Sequence, residues 1–279
     1  VSRAGTRAAP AYPVVLPAAR IRGVVGWTAV VSIRGRTAVW LARVAGAGAP
    51  ITMLRFDQSL LKLALHSGSV DPGGSGWRYG AAIGPVERHK VVAGFEGGFM
   101  LSDHVGGFLS QGRLELGLTS GLASVVTYAS GITDIGAWKR ELPTPGEAIF
   151  SVRQNLRLLI DHGRAAGNVT SCVIACWGPT LGGGLDSARG ALGIDSSGRL
   201  VYAGGERLSV SALADALIGA GVQRAAELDI NPEWVNLYLY THGGAGHGSA
   251  ALPMIPGQPG IPGQLLRPYS RDFFTVDAR

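Results

Sequence analysis

Apolar positions along this chain cluster in short runs separated by glycine-bearing turns. Gly23–Ile33 and Arg36–Val44 are β-branched and apolar, interrupted at Arg34-Gly35, a pair suited to a tight hairpin. Ile51–Phe56, Leu60–His66, Val91–Phe95 and Ser171–Trp177 predict further strands, Gly106–Leu118 a strand pair, and Gly131–Trp138 a strand end and turn. Arg189–Asp195 and Arg199–Ala203 flank Ser196-Ser197-Gly198 as a second hairpin. Ala225–Ile230 follows, and beyond it Val235, Leu237 and Leu239 alternate with Asn236, Tyr238 and Tyr240. Arg271–Val276 predicts an edge strand.

The period lengthens in two places. Thr144-Pro145-Gly146-Glu147 fits a capping box with proline at the first helical position. Ile149, Val152, Leu156, Leu159 and Ile160 then recur at helical spacing, predicting a helix that ends at Gly163. Val210–Ile218 predicts a second helix, with Leu213, Leu217 and Ile218 facing inward. The expected fold class is therefore α+β: a single domain built on a mixed, largely antiparallel β-sheet core with a few packed helices. It spans residues 21–279, behind an extended Ala/Pro/Arg-rich segment over residues 1–20. Gly243–Gly263 is Gly/Pro-rich and predicts a surface loop.

Composition narrows the partners. The chain has 279 residues, 46% hydrophobic and 16% charged, enough for a substantial core and unlike a disordered chain. Its net charge of +6 suggests nucleic acid until the cations are located. Lysine occurs only at Lys62, Lys90 and Lys139, so 22 of the 25 cations are arginine, scattered singly with no basic run. Nucleic acid is not the expected partner. No apolar run approaches the roughly 18 residues of a membrane span, so no membrane insertion is expected. The start without methionine or signal peptide fits a removed leader or a trimmed chain. Cys172 and Cys176 are the only cysteines. On an extended strand they would lie roughly 13 Å apart, too far to bridge, whereas a local turn would allow a disulfide and suit an exported protein.

Candidate chemistry lies in two stretches. Ala93–Phe99 places Glu96 before Gly97-Gly98, which permit positive φ and close approach of a ligand to the main chain. Arg189–Trp234 carries Arg189, then Glu227 and Asp229 at a strand end, then Asn231. His66 opens a hydroxyl- and glycine-rich loop suited to sugar or phosphate contact. Arg153, Gln154 and Asn155 form an unusually polar triplet on the first predicted helix. Gly182–Gly184 lacks the Lys-Ser/Thr of a phosphate-binding P-loop. No cofactor is implied and no metal spacing is present, although the acids leave a divalent cation open. Nothing in the pattern sets an oligomeric state.

Gly-Phe-Glu-Gly-Gly-Phe, then Arg-Gly-Ala-Leu-Gly-Ile-Asp with its hairpin, a Leu/Ala helix and Glu-Leu-Asp together resemble the phosphodiester glycosidase family, over roughly residues 60–240. The likeness is nearest to its actinobacterial branch, with Val-Arg-Gln-Asn-Leu and Leu-Asp-Ile-Asn-Pro-Glu-Trp. The resemblance implies a secreted or cell-surface enzyme that cleaves the glycosidic bond of a sugar-1-phosphodiester in envelope or extracellular glycans. Arg153 and Arg189 would then grip phosphate, and Asp229, Glu96 and Glu227 would serve the sugar, with His66, Gly97, Gly98, Asn155 and Asn231 lining the substrate. Two departures matter. Glu96 stands where the family pattern has asparagine, and Ile230-Asn231 where it has two glycines. The added carboxylate motivates a second reading, a phosphate-independent glycosidase using a Glu96/Asp229 pair. A third is a non-catalytic carbohydrate-binding module whose tryptophans supply stacking surfaces.

Overall fold

A computed structural model describes residues 26–46, 48–242 and 249–279. The segment predicted over residues 1–20, and part of the Gly243–Gly263 loop, lie outside the described residues.

In chain order the strands begin with β1 (Thr28–Ile33), β2 (Arg36–Val44), β3 (Ile51–Phe56), β4 (Leu61–His66) and β5 (Val91–Glu96). Next come β6 (Phe108–Ser110), β7 (Arg113–Leu116), β8 (Ala123–Tyr128), β9 (Thr133–Ala137), β10 (Ile149–Asn155), β11 (Leu158–Asp161) and β12 (Arg164–Ala165). Helix α1 (Val173–Trp177) precedes β13 (Ser187–Asp195) and β14 (Leu200–Leu208); helix α2 (Val210–Gly219) precedes β15 (Val222–Ile230), β16 (Leu237–His242), β17 (Ser249–Pro253) and β18 (Phe273–Ala278).

They form three sheets, ordered β1-β2-β3-β14-β13-β15-β11-β12, β7-β6-β10-β8-β9 and β17-β16-β5-β18-β4. Every strand pairing among these named strands is antiparallel. The main core lies where the eight-stranded sheet faces the β16-β5-β18-β4 sheet, with Leu54, Tyr202 and Leu228 meeting Phe95, Leu237 and Phe274. Phe108, Val125 and Ile135 of the third sheet close the same core. Helix α2 covers the outer face of the eight-stranded sheet through Leu213 and Leu217. Its start is fixed by Ser209, whose hydroxyl accepts from the Ala212 N–H at 3.1 Å.

The fold is β-rich, which corrects the α+β expectation. The described residues contain two α-helices, and α1 has only five residues. The helix predicted over 144–163 is instead β10 and β11, turning at Leu156, whose φ is +43°. Strand β10 lies between β6 and β8 and is buried through Asn155, so its apolar residues need not alternate and mimic helical spacing. Ser171–Trp177 reverses in the other direction: it curls into α1, bringing the Cys172 and Cys176 Cα atoms to 5.4 Å and joining them as a disulfide. The edge strand predicted at Arg271–Val276 is β18, and it is central, hydrogen-bonded to β5 on one side and β4 on the other.

Candidate functional site

The ends of β5, β10 and β15 meet the starts of β16 and β18 in a buried cluster of acids and arginines. Glu96, the last residue of β5, is 2% exposed. The Tyr202 hydroxyl donates to both of its oxygens, at 2.8 Å (Oε1) and 3.0 Å (Oε2), and the Asn236 N–H donates to Oε2 at 3.1 Å. The seat exists because β13 carries Gly190 opposite: a Cβ there would lie 1.7 Å from Glu96 Oε1. No cation contacts this carboxyl among its hydrogen-bond partners. Burial pushes it up to about 8, against the pull of Tyr202 and the backbone donors, and with a smaller push from Asp229.

Asp229 reaches the same face through a bulge. Arg189 pairs with Ile230 and Ala191 with Glu227, so β15 inserts one extra residue opposite β13. Strict alternation would leave Glu227 and Asp229 on one face; the insertion separates them. Asp229 accepts from Arg271 Nη2 at 2.7 Å and from the Ile230 N–H at 2.8 Å. Burial raises it to about 7, opposed first by Arg271. The Tyr269 hydroxyl is pushed up first by burial, then by the charge of Asp229 and, less, by that of Glu96.

Two residues that the sequence reading missed, Arg271 and Asp272, complete the cluster. Arg271 donates to the Gly98 carbonyl at 2.7 Å, stands 3.7 Å from Asp71 and lies over the Trp234 ring at 4.6 Å. Asp272 holds Arg153 at 2.8 Å and 3.2 Å, and Arg153 also donates to the Phe99 and Gln154 carbonyls. The available signal was an Arg-Asp pair opening a strand, with no motif around it.

The other expected site residues divide between this cluster and elsewhere. Gly97 and Gly98 are in it, without positive φ; they are small because side chains press on them. A Cβ would lie 2.0 Å from Asp272 Oδ2 at position 97 and 2.3 Å from Asn155 Oδ1 at position 98. Asn155 accepts from the Phe99 N–H at 3.0 Å and leaves its Nδ2 without a partner. Asn231, at φ +77°, holds the loop above the site by accepting from the Leu181 N–H at 2.9 Å and the Ser187 hydroxyl at 3.1 Å. Arg189 and Glu227 lie on the helix-covered face, paired at 2.8 Å and fully buried, with Arg189 also bonded to the Trp177 and Leu208 carbonyls. Burial lifts Glu227 to about 7, opposed by Arg189. His66 is likewise remote from the acids in its contacts. It is stacked on Phe273 at 4.4 Å and bonded to Gly80 and Thr275, and burial lowers it to about 4.

Among the described residues no group of three or more His, Cys, Asp or Glu is arranged to hold a metal ion. No described helix is long and apolar enough to cross a membrane.

No protein-family model matches the chain, and no curated protein matches it. Solved structures share its course at a distance. A hypothetical protein from Synechocystis has a TM-score of 0.47 and 13% identity, covering 92% of this chain and 64% of its own. The chain thus spans under two thirds of that protein's length. The catalytic domain of zebrafish N-acetylglucosamine-1-phosphodiester alpha-N-acetylglucosaminidase has a TM-score of 0.49 and 14% identity, covering 86% and 82%. Neither assigns this chain a family.

Proposed function

We propose that the protein is a glycoside hydrolase in which Glu96 is the general acid and Asp229 the carboxylate facing the anomeric carbon. The observation that carries this reading is the unequal company of the two acids. Glu96 meets only neutral donors, which leaves it protonated near neutral pH. Once protonated, Glu96 has only the Tyr202 hydroxyl oxygen as a neighbouring acceptor among its hydrogen-bond partners, and a glycosidic oxygen would compete with it for the proton. Asp229 is held by Arg271 and keeps its charge more readily. One carboxyl among neutral donors beside another paired with arginine suits acid-assisted glycoside cleavage: one protonates the departing oxygen, the other stabilises or captures the oxocarbenium-like centre.

Between the two substrate classes, the charge around the site favours a glycoside without phosphate. Arg153 and Arg271 face Asp71, Asp229 and Asp272, so the cluster is anionic even with Glu96 protonated. An anionic floor favours a developing cation and repels a phosphodiester. Arg189, the other expected phosphate ligand, is neutralised by Glu227 on the far face. The disulfide fits an extracytoplasmic setting, and a glycan of the cell envelope is the proposed substrate.

The test pairs aryl glycosides of several sugars with the matching sugar-1-phosphodiesters. Turnover of an aryl glycoside, lost in both Glu96→Gln and Asp229→Asn proteins that remain folded, is the expected result. Turnover of phosphodiesters alone would restore the phosphate-dependent reading. Full activity in both variants would remove these acids from catalysis.

A further inference from the structure

At the end of the eight-stranded sheet remote from Glu96, a cavity of about 770 Å³ opens between that sheet and the β7-β6-β10-β8-β9 sheet. We propose that it is a binding site for a neutral oligosaccharide, separate from the acid cluster and independent of whether those acids are catalytic. Glu96 rests against Gly190, and Asp195 in the cavity lies five residues further along β13, roughly 17 Å away at the rise of a strand.

Its walls are tied to one another. Buried Gln58, in the β3–β4 turn, donates to the Thr133 carbonyl at 2.9 Å and the Gly198 carbonyl at 2.7 Å, and accepts from the Thr133 N–H at 2.7 Å. One amide thus joins three separate segments. Asp195 accepts from the Ser197 and Arg199 N–H groups at 2.8 Å and 3.0 Å, which fixes the tip of the β13–β14 hairpin. In the β9–β10 connection the Thr144 N–H donates to the Tyr128 hydroxyl at 2.8 Å. The cavity is therefore preformed, and its volume is that of a small-ligand site. Thr144 and Glu147, from the stretch that reads as a capping box, and the Ser196-Ser197-Gly198 turn all line it.

The lining selects the occupant by exclusion. Ile132 and Ile194 are its only aliphatic members among eighteen residues, too few for a hydrocarbon. Three arginines and four acids line it, so neither a polyanion nor a cation finds an excess of counter-charge. Arg36 pairs with Asp57 at 3.4 Å, Arg224 with Asp134 at 2.8 Å, and Asp195 with Arg55, from outside the lining, at 3.6 Å. Among the described residues no carboxylate pairs with Arg199, whose guanidinium lies 5.6 Å from the Trp40 ring, and no cation pairs with Glu147. A peptide strand would need an open sheet edge. At Thr133, the first residue of edge strand β9, Gln58 already holds both the N–H and the carbonyl. What remains is a ligand whose groups both donate and accept. A hydroxyl accepts from Arg199 and donates to Glu147, and the six hydroxyl side chains of the lining, exposed Ser196 and Ser197 among them, match it in kind. Neutral sugars carry such groups on every ring, and the volume admits more than one ring.

The test is NMR of the full chain carrying Glu96→Gln, titrated with short malto-, cello-, xylo- and manno-oligosaccharides and, separately, with inorganic phosphate and with glycine. Saturable shifts of the Ser196, Ser197, Gly198 and Gln223 amides with at least one oligosaccharide, and not with phosphate or glycine, are expected. Arg199→Ala and Glu147→Ala should each weaken that binding about tenfold or more. Arg164→Ala, which removes an exposed arginine on β12 outside the cavity, should leave it unchanged. Such shifts support the site even when the wild-type protein hydrolyses no glycoside and the catalytic reading fails. Wild-type hydrolysis of a glycoside with these amides unmoved by every oligosaccharide overturns the site while sparing the catalytic reading. Shifts produced by phosphate or glycine alone overturn it in favour of an anion or zwitterion site. Oligosaccharide binding that neither alanine variant weakens places the sugar elsewhere and overturns it as well.

Discussion

Glu96 and Asp229 are both buried but keep different company, Tyr202 and Asn236 at the first and Arg271 at the second, and the proposed glycosidase gives them different tasks. If Asp229 must be ionised and Glu96 protonated, activity is bell-shaped, rising through about 7 and falling through about 8. Tyr202 favours the ionised form of Glu96 by donating to it. Tyr202→Phe should therefore raise the proton affinity of Glu96 and move the alkaline limb upward, leaving the acid limb in place. A pH–rate profile of kcat/KM checks this, and an unmoved alkaline limb would separate Tyr202 from catalysis. The closeness of Gly190 to Glu96 gives a second expectation. Gly190→Ala should cost about 1–3 kcal/mol by overpacking, with most of the loss recovered in a Glu96→Ala background. Urea unfolding of the double-mutant cycle reads the coupling directly. The sequence singled out Glu96 as a carboxylate in a glycine turn; the structure makes it the last residue of β5, and the glycines after it lack the positive φ expected of them. Its partners were not legible, because Tyr202, Asn236 and Gly190 come from three distant strands and carry no local signal.

At the level of elements, local signals succeeded where one segment decided its own structure. Ser209 caps α2, and Ser209→Ala should lower stability by about 1 kcal/mol, measured by thermal or urea unfolding. The hairpins at Arg34-Gly35 and Ser196-Ser197-Gly198 were likewise readable from residues that tolerate positive φ, as Arg34, Gly35 and Gly198 do. Residues 149–161 were misread because tertiary partners overrode the spacing. Arg153, Gln154 and Asn155 look like a solvated helix face until Asp272, Gly107 and Phe99 supply their hydrogen bonds. The bulge in β15 was equally hidden. An alternating strand would have sent Glu227 and Asp229 to the same side, and the separation appears only once the register against β13 is known. For α1, serine replacement of both cysteines should cost up to about 2 kcal/mol, since the closed loop is short.

For the whole molecule, buried acids couple stability to pH. Glu96 is raised from 4.5 to about 8 and Asp277 from 3.8 to about 6, chiefly by burial, and neither is held by an arginine. The native state keeps these protons after the unfolded chain has released them, so stability is greatest below the unfolded values. It declines as pH rises through the native ones. Glu96→Gln should therefore stabilise the protein at pH 8 more than at pH 5, as urea midpoints at the two values would show. An equal effect at both would contradict burial as the cause.

Strand β18 has a consequence for how the molecule comes into being. It lies between β4 and β5, which precede it by some 180 residues or more, and it brings Arg271 and Asp272 to the site. A nascent chain that has emerged from the ribosome only through residue 260 holds β4 and β5 without the strand that joins them, and its Arg153 lacks Asp272 while its Asp229 lacks Arg271. Such long-range pairing is formed late and slowly. The arginine and the aspartate that complete the cluster are thus the last of its residues to arrive, in one closing step.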